Sequence, residues 1–129
     1  MSDTLLQHHL GQRQRYWVHD AYENSATPLG DDEWWDLTLE PAGVATVQIE
    51  IVHAYTNELL SLIAIQGPWV LVESNKSAYT ITIEQPIVRL VQGQAAALAA
   101  WQHHPQITLT VTATSIERHP HAANAGTEA

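Results

Sequence analysis

Residues 78–116 leave few architectures open to this chain. Tyr79, Ile81 and Ile83 alternate with Thr80, Thr82 and Glu84, and Ile107, Leu109, Val111 and Ala113 alternate with Thr108, Thr110, Thr112 and Thr114. An apolar residue at every second position marks a strand with one buried and one wetted face. Between these two stretches lie a short apolar run, 87–91, set off by Pro86, and an Ala-rich segment, 94–103. Ala95, Leu98 and Trp101 fall three apart in that segment, so as a helix it could rest one side on a sheet. Gly93 opens it and Pro105 closes it, with His103 and His104 in its last turn, where the helix dipole favours positive charge. This order of strand, strand, helix, strand predicts an α+β fold.

Further strands are expected upstream. In 33–40, Trp35, Leu37 and Leu39 point one way and Trp34, Asp36, Thr38 and Glu40 the other, and Pro41 and Gly43 make a turn. Val47, Ile49 and Ile51 form the inner side of 44–55, and continued alternation would bury His53. Residues 56–65 read as strand or helix, with the strand beginning near Leu59 and pairing back across a turn. The Gly67–Pro68 pair is expected to stop this element. A separate strand over 69–73, uncharged up to Val72, is then expected to be buried on both faces. The sum is a mainly antiparallel sheet of six to eight strands, curled into a sandwich or partial barrel, with one principal α-helix at about 94–103 before the last strand. Residues 1–14 make an N-terminal segment, either arm or short helix. Residues 15–117 form one globular domain, and 118–129 form a mobile tail.

Length and composition bound the function. The chain has 129 residues, 45% hydrophobic and only 15% charged, against a usual charged share of roughly 25%. Its surface must therefore lean on Thr, Gln, Ser, Asn and His. Without cysteine there is no disulfide framework, thiolate metal site or cysteine nucleophile. No apolar run nears the roughly 18 residues of a membrane span. Residues 1–10 lack the basic-then-apolar order of a secretory leader. These features point to the cytoplasm or to an assembled particle, with no membrane contact. Residues 16–75 hold ten acids and no Lys or Arg, so that segment carries −10 and the rest of the chain +1, for a net charge of −9. Such a field repels nucleic acid and suits a basic protein surface.

The run Asp31, Asp32, Glu33, Trp34, Trp35, Asp36 is the candidate partner-binding site. Only one of two adjacent tryptophans on a strand can face the core, which leaves Trp34 on the other side among carboxylates able to meet Arg or Lys. The uncharged threonines of 108–114 suggest self-association, since an uncharged edge invites strand addition. Eight histidines are present, and His119 and His121 share one side of an extended chain, the spacing of a metal chelate. No helical metal motif, nucleophile elbow or phosphate-cradling glycine loop accompanies them, so neither metal nor cofactor is expected. The leading expectation is a non-enzymatic protein-binding or assembly module. It would be a structural subunit of a larger particle, for example a phage-like structural protein, or an acidic binder of a basic partner, and a homo-oligomer fits either role. The alternative is a curved-sheet ligand-binding protein or enzyme with an apolar pocket near His53, its polar groups coming from Glu50, Tyr55 and Trp69.

Overall fold

The computed structural model describes residues 4–18, 32–53 and 56–119. It contains eight strands: β1 (Gln14–Val18), β2 (Asp32–Leu39), β3 (Val44–Val52), β4 (Leu59–Ser74), β5 (Ala78–Glu84), β6 (Ile87–Gln92), β7 (Gln106–Thr112) and β8 (Ile116–Arg118). One short helix, α1 (Leu5–His9), precedes them. Every strand pair is antiparallel, in the order β1-β2-β3-β4-β5-β7-β8, with β6 also against β4. The mainly antiparallel α+β fold is as expected.

The alternation seen in the sequence becomes the core. Trp35, Leu37 and Leu39 of β2 and Ala45, Val47 and Ile49 of β3 join one buried cluster with Ile81 and Ile83 of β5 and Ile107, Leu109 and Val111 of β7. Fully burying an aliphatic side chain of this kind stabilises the fold by about 1.5–3 kcal/mol. The cluster is shared by the two halves of a sheet that folds over. Tyr16 on β1 reaches across, its hydroxyl donating to the Thr112 carbonyl at 3.2 Å.

β4 is the spine of the fold, and it departs from expectation. Residues 56–65 resolve as strand from Leu59, but Gly67 and Pro68 do not end it, and 16 residues run on to Ser74. Its first half pairs with β3 and β6, and its second half pairs with β5. β5 and β6 act as one broken strand lying along β4, with the joint at Gln85 (φ 44°) and Pro86 beside Gly67. A Cβ on Gly67 would lie 2.9 Å from the Glu84 carbonyl oxygen and 3.0 Å from Ile83 Cγ2. The glycine is thus a point of close strand approach rather than a stop.

The Ala-rich segment also differs. Instead of an α-helix over 94–103, residues Ala95–Ala100 wind as a 3-10 helix. Gln94 supplies no side-chain cap, Gly93 is pinned against β4, and Trp101 is drawn into the core. Six residues held at both ends gain little from alanine's propensity, because helix nucleation is costly and repaid only by length. A tighter winding spans about 2.0 Å per residue, so the same residues bridge a longer gap. His103 (φ 66°) and His104 therefore follow the helix rather than sitting in its last turn. The α-helix present is α1, capped by the Thr4 hydroxyl, which accepts from the Gln7 N–H at 3.3 Å. At the other end, Thr112 and Ser115 form a turn, and β8 folds back on β7. Arg118 thus closes a strand where a tail was expected to begin. Residues 120–129 lie outside the described residues.

Candidate protein-contact surface

The predicted partner patch on β2 is largely consumed by the protein itself. Asp31 lies outside the described residues. Asp32 is buried, and Glu33 points inward, where it accepts the Trp35 indole N–H at 2.6 Å. Asp36 is 3% exposed beneath Arg15, whose Nη1 donates to Oδ1 at 3.1 Å and Oδ2 at 2.9 Å. Arg15 Nη2 also donates to Glu50 Oε1 at 3.0 Å, and the guanidinium lies 4.7 Å from the Trp34 ring centroid. Its hydrogen bond with Glu50 and the charge of Asp36 raise the Arg15 pKa, although burial opposes them. The cation expected from a partner is thus present on β1, opposite Asp36 in the strand register. Trp34 is half-buried, with Trp17 at 6.3 Å between centroids, and of these two rings Trp17 is the one turned outward.

The His53 grouping does not assemble. A register shift between Ile51 and Val52 breaks the alternation, so Val52 takes the buried position and His53 falls in the turn to β4. There its Nδ1 accepts the Thr56 N–H at 3.3 Å. Glu50 faces outward to Arg15, and Trp69 sits at the opposite end of the β3–β4 pair, donating from Nε1 to the Glu40 carbonyl at 3.1 Å. Tyr55 lies outside the described residues, as does His121. His119 pairs with the Thr110 hydroxyl. No cluster of three or more potential metal ligands occurs among the described residues, and no helix among them is long and apolar enough to cross a membrane.

The threonine ladder is likewise engaged. β7 is an interior strand, with Thr110 and Thr108 hydrogen-bonded at 2.9 Å to Thr80 and Thr82 of β5. Thr114 lies beyond the strand, in the turn. An apolar open edge lies elsewhere, besides the edges at β1, β6 and β8.

That edge belongs to β4. Its inward positions are Ser61, Ile63, Ile65 and Gly67, and its outward positions Leu60, Leu62, Ala64, Gln66, Pro68 and Val70. No charged residue occurs in 59–72. Ile87 lies beside Gln66, and Val44 beside Pro68, so neighbouring strands extend the same apolar stripe. β3 reaches only as far as Val44, and the last link on that side is the Trp69 N–H to the Gly43 carbonyl at 2.9 Å. Beyond it, residues 70–74 have a strand partner only on the β5 side among the described residues. The register jumps from Leu71 to Glu73, leaving Val72 as the bulged residue. Val70, Leu71 and Val72 are 47%, 46% and 60% exposed. The expectation of a strand buried on both faces is overturned here: β4 has outrun the described elements beside it.

A second buried feature carries polar groups. His9 of α1 and Tyr79 of β5, both buried, share a 2.7 Å hydrogen bond between Nδ1 and the hydroxyl, with ring centroids 5.5 Å apart. Burial, then the neighbouring His8, lowers the His9 pKa. Burial raises both phenols, Tyr16 to about 12. Compared with known proteins, the chain matches no family model, no curated protein and no solved structure.

Proposed function

We propose that this protein is a non-enzymatic assembly module that meets a protein partner along β4. One observation carries the reading: β4, uncharged from 59 to 72, leaves Val70, Leu71 and Val72 about half exposed on an edge that no described strand covers. Natural sheets guard such edges with charge, proline, a bulge or cover, and contiguous exposed apolar surface marks interaction sites. The Val72 bulge and Glu73 sit at the end of this edge and leave the three aliphatics exposed. Burying the remaining half of these three side chains is worth about 1 kcal/mol each. Association costs at least about 4 kcal/mol, so the nearby Val44 and Ile87 must also contribute to a stable contact. The test places a photo-crosslinking side chain at position 72 in the native lysate. The expected result is a discrete product that disappears when Val70→Glu is added; products unaffected by Val70→Glu would refute the reading.

A second reading concerns a basic partner at Trp17 and Trp34. It is favoured by the outward Trp17 ring, 57% exposed, next to Trp34, which lies opposite Glu50 in the strand register of an acidic chain. A tryptophan face accepts a cation, as Trp34 already accepts Arg15. Binding of a poly-lysine probe that weakens with salt and falls on Trp17→Ala would support it. Binding indifferent to Trp17→Ala would dispose of it.

A further inference from the structure

Resting on the β4 reading, we infer that the partner at this edge is a second copy of the chain, paired antiparallel about a two-fold axis near Val72. Three observations converge on that occupant. The first is charge. Each copy carries −9, so two copies repel across most approaches, whereas 59–72 is uncharged, and Glu73, the one charge within the uncovered run, is offset by Lys76 in the turn that follows. The second is hydrogen-bonding pattern. The Trp69 N–H points away from β5, toward β3, so alternation up to the bulge at Val72 turns the Leu71 N–H and carbonyl to that same open side. An antiparallel edge is its own complement, and a two-fold axis lets one strand satisfy its twin without any further segment.

The third is position. The uncovered run is 70–74 and its middle residue is Val72, the most exposed of the three aliphatics. Pairing there would extend two eight-stranded sheets into one continuous sheet across the axis. The Gly43 turn beside Trp69 limits the ladder at one end, so the pairing is short and set around position 72. The total accessible surface is 7858 Å², and a standard interface takes about 800 Å² from each partner, about a tenth of it. A strand of five residues is only about 17 Å long, so the dimer is a weak, concentration-dependent one.

The chain's lack of cysteine makes the test clean. In antiparallel pairs, opposite Cα atoms lie about 4.5–5.5 Å apart, within the reach of a disulfide. Mass in solution is measured by sedimentation across a concentration series, and Val72→Cys and Ile87→Cys are oxidised in parallel. The expected result is a monomer–dimer equilibrium, a Val72→Cys disulfide forming about tenfold faster than the Ile87→Cys one, and dimerisation weakened about tenfold by Val72→Lys. Circular dichroism melts check that each variant folds, and a misfolded Val72→Lys is replaced by Leu71→Lys. A dimer that crosslinks equally well through Ile87→Cys overturns edge pairing in favour of contact through the stripe, and leaves the assembly reading intact. A monomer at every concentration overturns the second copy, and the lysate crosslink then decides whether β4 meets a different protein.

Discussion

Two glycines with nearly the same backbone separate strain from crowding. Gly43 has φ +112° and Gly93 φ +106°. An L side chain at either position is strained by about 1–3 kcal/mol. Their surroundings differ. A Cβ on Gly43 meets nothing within 4 Å, whereas one on Gly93 would fall on the Ser61 hydroxyl and lie 2.5 Å from the Leu60 carbonyl oxygen and 2.6 Å from Ser61 Cα. Two of these three contacts are β4 backbone, which cannot swing aside, and forced overpacking of this kind costs a further 1–3 kcal/mol or so. Gly43→Ala should therefore cost about 1–3 kcal/mol and Gly93→Ala about 2–6. For 129 residues the unfolding entropy is about 270 cal/mol/K, so each kcal/mol moves the Tm by about 4 °C. Thermal unfolding by circular dichroism should place Gly93→Ala about 4–11 °C below Gly43→Ala. Equal melting temperatures for the two variants would refute close packing of the β6 end against β4.

The buried His9–Tyr79 pair makes stability pH-dependent. His9 is held neutral in the fold, facing Tyr79 on β5 with Tyr16 close to that phenol and His8 beside it on α1. The unfolded chain takes up a proton at the ordinary histidine value of 6.5 before the folded chain does, so this contribution is complete above 6.5 and is lost as pH falls toward the lowered folded value. Urea midpoints should drop between pH 7 and 5, less steeply in His9→Leu than in the wild type; identical slopes would exclude His9 as a source. Arg15→Met should cost about 1–3 kcal/mol by leaving the buried Asp36 carboxylate without its guanidinium. Adding Asp36→Asn should recover part of that loss in chemical denaturation, and full additivity of the two changes would contradict the pairing.

Much of the fold was legible because it follows from period two. The inward sets of β2, β3, β5 and β7 could be read directly, since a strand's faces follow from parity alone. Parity failed where the chain steps out of register: at Ile51 and Val52, which moved His53 into a turn, and at Val72. Residues 94–103 misled because alanine's helix preference is weak against a glycine pinned at one end and a tryptophan buried at the other. The acidic tryptophan run was correctly placed with Trp35 inward, but its cation comes from Arg15, some twenty residues away and brought opposite only by β1–β2 pairing. The β4 surface did leave a trace in the chain, the charge-free run 59–72. A run of that kind reads as buried strand unless its neighbours are known to be too short to cover it.

Sequence alone therefore determined which side chains share a face, that the strands are half-buried, and that acid is concentrated in 16–75. These are local properties, decided by parity and composition. Only the tertiary structure decided that one strand spans both halves of the sheet, that Gly67 is a close approach rather than an end, and that β3 stops at Val44 while β4 continues. Exposure is the difference between the lengths of neighbouring elements, and no single segment encodes that difference. For this reason a strand read as buried on both faces supplies an open apolar edge.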